Sequence, residues 1–279
     1  MQKNIFDVIL LIGRPASGKS EIIHFLTHLP DEARRERFYI ADLEVYDDFP
    51  MLWAWFEEDD ILRNKFRLPR LHSNEDGYFK FPELWHVLIE RLSLDYGKLL
   101  RDDPTYHEQT TCMIEFSRGS EHGGYAEAFQ HLSDEVLEHA VILYVRVPYE
   151  ESLRKNRRRF NPDKPDSILE HGLSDEKMER LYKEDDFASV APGDSGQIEI
   201  REHQVPFIVF PNEDDVTTDK PEQLAARLES VLGELWDLYK RNQVKRAASA
   251  LASDYQSDDD LDAFSGLDGE EFLDDTGQA

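Results

Sequence analysis

A doubly wound α/β fold with a mostly parallel sheet is what this chain of 279 residues predicts, and three observations carry that reading. Apolar runs of strand length recur through residues 1–241, and segments with helical spacing separate them. The first run, Val8 to Ile12, ends in a glycine-bracketed turn that opens into the helical stretch 21–26. Helical crossovers between successive strands force those strands to pair in parallel. With 40 % hydrophobic residues the chain has enough apolar material for one large domain of this kind.

The turn is Gly13, Arg14, Pro15, Ala16, Ser17, Gly18, Lys19 and Ser20, a complete G-x-x-x-x-G-K-S pattern. Glycines let backbone N–H groups curl around phosphates at a helix N-terminus, Lys19 reaches the terminal phosphates and Ser20 holds Mg²⁺. A nucleoside triphosphate is therefore the expected ligand, bound by all eight residues 13–20.

The first helix ends by Leu29, where Pro30 stops it. Residues 37–43 (R-F-Y-I-A-D-L) read as a second strand ending at Asp42. Residues 44–110 break the alternation with an aromatic-rich stretch and a helix from Pro82 to Arg101, an insertion large enough to cover a site. Residues 111–116 give a third strand ending near Glu115, and residues 125–139 an amphipathic helix. The fourth strand spans residues 140–147, and Pro148 starts the next helix, which carries Arg154, Lys155, Arg157, Arg158 and Arg159. The polar, proline- and glycine-punctuated residues 154–197 read as a lid region. A fifth strand follows at 205–210 and a last helix at 221–239.

Charge and composition exclude several classes. A net charge of −27 opposes nucleic acid and anionic membrane surfaces. One cysteine, Cys112, forbids an intrachain disulfide, and no leader or long apolar span appears, so a cytoplasmic setting is expected. No lysine or arginine follows Arg246, while ten acidic residues do, so residues 242–279 read as a disordered acidic tail and a candidate docking segment for a protein partner.

In open parallel sheets ligands lie beyond the carboxyl ends of the strands. Asp42 and Glu115 are accordingly the candidate acids, one a general base and one associated with the metal, which puts Ser20 and Glu115 forward as metal-associated residues. Arg118 and the lid arginines Arg154, Arg157 and Arg158 are candidates for neutralising a migrating phosphoryl group, with Lys19. A second basic cluster, Arg63, Lys65, Arg67 and Arg70, could meet an acidic acceptor. The histidines, His131 among them, read as packing or surface residues.

These features resemble the nucleoside monophosphate kinase-like and small-molecule kinase-like branch of P-loop proteins. The likeness rests on residues 13–20, on Ile114-Glu115-Phe116-Ser117-Arg118-Gly119, on Val145-Arg146-Val147-Pro148 with the arginines after it, and on the last strand and helix. It implies strand order 2-3-1-4-5, ATP with Mg²⁺ as phosphoryl donor and a small-molecule or nucleotide acceptor beneath the insertion. The family's lid arginine falls at Asn156. The expected function is an ATP-dependent kinase, and the alternative is a nucleotide-binding regulatory or scaffold protein acting through its acidic tail.

Overall fold

Burial on both faces explains why four of the strands carry continuous runs of buried, mostly apolar residues. The computed structural model describes residues 4–159 and 173–257. In chain order its elements are β1 (Val8–Gly13), α1 (Lys19–Thr27), α2 (Asp31–Phe38), β2 (Asp42–Asp47), α3 (Phe49–Ile61), α4 (Leu84–Asp102), β3 (Thr110–Phe116), α5 (Gly124–Gln130) and α6 (Asp134–His139). They continue with β4 (Ala140–Arg146), α7 (Tyr149–Arg159), α8 (Asp175–Tyr182), α9 (Phe187–Val190), β5 (Ser195–Ile200), β6 (His203–Pro211) and α10 (Pro221–Ser257). The sheet has six strands in the order β2-β3-β1-β4-β6-β5, rather than five. The first five are parallel, in the expected order once β6 is counted fifth, and β5 adds an antiparallel edge.

One face of the sheet packs on α4, α5 and α6 through Leu92, Tyr96, Phe129 and Val136. The other packs on α1 and α10 through Ile22, Leu26, Leu224, Leu228 and Leu232. Each fully buried leucine contributes about 1.5–3 kcal/mol relative to exposure, so these stripes fix which way every strand faces.

The second strand lies five residues later than its expected start. Arg37 and Phe38 finish α2, and Tyr39 closes that helix in the left-handed region at φ 58°. Phe38, Ile40 and Ala41 are buried apolar residues that imitate a strand without being one. The true strand, D-L-E-V-Y-D, is an edge strand whose residues are exposed or half-buried, so its sequence lacks the apolar run that marks its neighbours. Its hydrogen-bonded register pairs Asp42 with Thr110 and Asp47 with Glu115.

The 125–139 helix is two helices, because Ser133 turns the chain and caps α6 by accepting a hydrogen bond from the Val136 N–H. In the expected lid, residues 160–172 lie outside the described residues. The part that follows is docked: Met178, Leu181 and Tyr182 of α8 are buried against Leu153, and Ser195, Gly196 and Gln197 belong to β5. The last helix does not end at Tyr239 but continues to Ser257, so residues 242–257 are helical rather than disordered. The α/β unit ends at Tyr239 and a second unit begins at Lys240. The acidic residues from 258 onward lie outside the described residues.

Within the insertion, Asp59 is fully buried on α3 and accepts hydrogen bonds from the N–H groups of Leu71, His72 and Ser73 and from the Ser73 hydroxyl. Those donors hold its carboxyl below the usual carboxylate range against the opposing effect of burial. One carboxylate thus folds the loop after α3 back onto the helix.

α8 approaches the end of β3 so closely that only glycine fits at position 119. A Cβ there would stand 1.8 Å from the Leu181 carbonyl oxygen and 3.1 Å from that of Glu184. Gly119→Ala should therefore destabilise the protein by about 1–3 kcal/mol, read as a lower urea midpoint. A variant as stable as its parent would show that α8 does not dock here.

Candidate functional site

Parallel pairing delivers the carboxyl ends of β1, β2 and β3 to one edge, and the polar residues of interest gather there. After Gly13 the chain turns through residues 13–20, with Ala16 at φ 53° and Gly18 at φ 113°. Both the positive φ and the space demand glycine at 18, where a Cβ would meet Asn212 Nδ2 at 2.6 Å and Thr217 Oγ1 at 2.7 Å.

Three elements tie the loop down. The Ser152 hydroxyl on α7 donates to the Pro15 carbonyl at 2.6 Å. Asn212, just past β6, donates to the Ser17 carbonyl at 2.7 Å. Arg14 donates to the carbonyls of Val147, Tyr182 and Lys183 and pairs with Asp185 at 2.7 Å.

The ammonium of Lys19 is buried and donates to the carbonyls of Gly13 and Arg14 and, at 2.8 Å, to Ser117 Oγ. Glu115 Oε1 lies 3.8 Å away. Burial lowers the lysine's pKa despite the pull of Glu115, Asp47 and Asp48.

Three carboxylates share this end of the sheet. Asp47 and Glu115 face each other across the β2–β3 register, and Asp48 follows. Burial, then repulsion from Glu115 and Asp48, pushes Asp47 up to about 7. Burial likewise raises Glu115, with Lys19 pulling against it. One Asp47 oxygen accepts from the Phe49 N–H at 2.9 Å.

Two cavities meet at Ala16, Ser20 and Glu21. One, of about 280 Å³, is floored by Lys19, Asp47 and Glu115. Phe49, Leu52, Trp53 and Phe56, on one face of α3, form one wall, and Phe79 and Trp85 form another. Phe56, Phe79 and Trp85 are edge-to-face neighbours, with centroids at 5.2 Å and 4.8 Å. The other cavity is a more open groove of about 850 Å³ between α1, α7 and the segment after β6, lined by His24, Phe25, Lys155, Arg158, Thr217 and Leu224. Ala16, Ser20, Glu21 and Arg159 border both.

The expected site residues divide. Lys19, Ser20, Glu115 and the 13–20 loop come together, and Arg118 joins them. Asp42 does not: it begins β2 instead of ending it, at the opposite end of that strand, with its side chain 70 % exposed beside Arg34. The acid at the correct end is Asp47, which the misplaced strand concealed.

Arg118 is 1 % exposed. It donates to Asp48 at 2.6 Å and to the carbonyls of Ser117 and Trp85, with Trp85 and Phe116 on its faces. Its charge is matched by Asp48, so it positions that acid and the cavity wall.

Of the lid arginines, Arg154 pairs with Glu151 and Asp215, and Arg157 with Asp175; both arginines are exposed and neither lines either cavity. Arg158 lines the open groove. Arg159, counted in the basic cluster but not among the candidate lid arginines, borders both cavities and acts electrostatically on Lys19 and Glu115. Helical spacing from Ser152 through Asn156 to Arg159 puts it on the face of α7 that meets the loop. Asn156 lines the smaller cavity but spends its amide on the Leu173 backbone. In the second basic cluster, Arg63 pairs with Glu75, and Arg70 with Asp60 and Glu75; none of the four borders either cavity.

No family model matches the chain, and no curated protein matches it in sequence. Among solved structures it is similar to a sugar kinase from Janibacter sp. HTCC2649 in unliganded form, at 14 % identity over 82 % of this chain and 95 % of that one, with a TM-score of 0.36. It is also similar to shikimate kinase from Acinetobacter baumannii in complex with shikimate, at 13 % identity over 63 % of this chain and 72 % of that one, with a TM-score of 0.31. No helix among the described residues is long and apolar enough to cross a membrane.

The raised Asp47 pKa has a signed consequence. Between its ordinary value of 3.8 and about 7 the folded state binds more protons at Asp47 than the unfolded chain does. Stability of the ligand-free protein should therefore fall as pH rises through that window, and Glu115 contributes with the same sign. Asp47→Asn, which keeps the acceptor for the Phe49 N–H, should be more stable than its parent at pH 8 and equal to it at pH 4. Urea midpoints at both pH values test this, and a difference that does not shrink on acidification would exonerate Asp47.

Proposed function

We propose that this protein is an ATP-dependent phosphotransferase that passes the γ-phosphoryl group of ATP to a hydroxyl of a small acceptor with an apolar, ring-like body. The observation that carries the proposal is the pairing of Asp47 with Glu115 at the ends of β2 and β3, with Lys19 3.8 Å from Glu115, on the floor of a cavity that adjoins the open groove through Ala16, Ser20, Glu21 and Arg159.

The residues fit a triphosphate. Residues 13–20 offer a tied-down loop at a helix N-terminus, and Lys19 already spends its hydrogen bonds on the loop carbonyls and Ser117 rather than on a carboxylate at contact distance. The open groove suits the nucleoside, with Arg158 and Arg159 from α7 along its rim. Ser20, with Glu115 or Asp48, would hold Mg²⁺, which when bound supplies positive charge to the phosphate oxygens.

The acceptor would lie in the smaller cavity, its body against Trp53, Phe56 and Trp85. Arg118 is neutralised by Asp48, so this cavity is poorly equipped for an acceptor phosphate and better suited to a neutral hydroxyl. Asp47 accepts that hydroxyl's proton, and a pKa near 7 matches a base working at neutral pH. Lys19 and Arg159 stabilise charge on the phosphoryl group as it moves.

The test is ADP release from ATP·Mg²⁺ across a panel of ring-bearing alcohols, beside calorimetric ATP binding. Asp47→Asn should bind ATP as the parent does and turn over about 10²–10⁴-fold more slowly. Lys19→Ala should weaken ATP binding itself. Parental turnover in Asp47→Asn, or a parent that binds no ATP, would sink the proposal.

A further inference from the structure

Away from this site, two helices face each other through two i,i+4 pairs: His86 and Glu90 on α4, and Glu127 on α5 with His131 at that helix's C-cap. Ligand atoms of His86, Glu127 and His131 lie within 4.8 Å of one another. Independently, His86 Nδ1 is buried with no hydrogen-bond partner, a cost the fold bears without return. His131 is already oriented: its Nδ1 lies 3.0 Å from Glu90 Oε1, which leaves the Nε2 lone pair turned towards Glu127 Oε1 at 3.9 Å.

From this geometry we infer a binding site for a divalent transition-metal ion, Zn²⁺ by its ligand chemistry, formed by His86, His131 and Glu127. Two imidazoles and a carboxylate are a borderline donor set that suits zinc and not Mg²⁺ or Ca²⁺, with water as a fourth ligand. Glu90 serves as the outer carboxylate that fixes the His131 tautomer, the usual support for a metal-bound histidine. Tetrahedral binding brings ligand atoms to about 3.3 Å from one another, so the cluster closes by roughly an ångström. The exposed Glu127 side chain and a turn of the two stacked imidazoles, whose centroids are 4.4 Å apart, supply that movement.

Bound zinc would join α4 to α5 one residue away from Trp85, which walls the smaller cavity and accepts a hydrogen bond from Arg118 at its carbonyl. The site is thus a structural staple behind the aromatic wall, and it stands whether or not the protein transfers phosphate.

Zinc titration of the full chain by calorimetry, with thermal unfolding in the presence and absence of Zn²⁺, tests the inference. The parent should bind Zn²⁺ at this site and melt higher with it. Glu127→Gln and His131→Ala should each weaken that binding by about tenfold or more and lose the thermal shift, and Glu90→Gln should weaken it while keeping all three ligands. Because Glu127 is half-exposed, its variant reports even if His131→Ala fails to fold. Co²⁺ in place of Zn²⁺ should give the visible absorption of a four-coordinate ion in the parent and lose it in Glu127→Gln. No zinc binding by the parent, or unchanged affinity and thermal shift in Glu127→Gln, would overturn the assignment.

Discussion

Parallel pairing is the constraint on which the rest of this molecule depends. Strands that run the same way must end at the same edge, so whatever follows each apolar run is carried to one line. Here that line holds the 13–20 loop after β1, Asp47 at the end of β2 and Glu115 in β3. The crossover between β2 and β3 lies above the same edge. It contributes the helix whose aromatic face, Phe49, Leu52, Trp53 and Phe56, walls the smaller cavity.

Gathering charge this way works against stability. Asp47, Asp48 and Glu115 crowd together, and Lys19 and Arg118 are the buried cations among them. Arg118 takes Asp48 as a close partner and two aromatic faces as walls. That settles one acid and leaves Asp47 and Glu115 facing each other, with Lys19 at 3.8 Å from Glu115. A buried charge without a full partner is costly, so the strain in this corner is the sort that a fold retains where it serves a purpose.

The fold was largely legible because its central strands are buried on both sides and must be written in apolar residues. Val8 to Ile12 and the run from Ala140 could be little else. Edge strands escape that requirement. β2 exposes much of its surface, and its polar sequence is less strand-like than the buried 38–41 stretch, which makes Asp42 rather than Asp47 the candidate acid at this strand's end. β5, the other edge, was absorbed into a polar segment for the same reason. The basic helix was legible as a cluster but not as a direction: sequence counted the arginines, whereas the face set by Ser152 decides that Arg159 reaches the cavities while Arg154 and Arg157 meet surface acids. Long-range partners such as Asp48 for Arg118, 70 positions away, leave no local signature.

The restraints on the 13–20 loop carry a thermodynamic meaning of their own. Ser152 and Asn212 grip it from 137 and 195 positions along the chain, and both grips are backbone carbonyls, indifferent to which side chain stands there. Ordering a free loop would absorb roughly 1–2 kcal/mol per residue at the moment an anion arrived. In this chain that entropy is surrendered during folding, so the loop meets its ligand as a rigid receptor. Its avidity for an anion is then a property of the whole sheet, and it should soften when the distant ends of β4 and β6 soften.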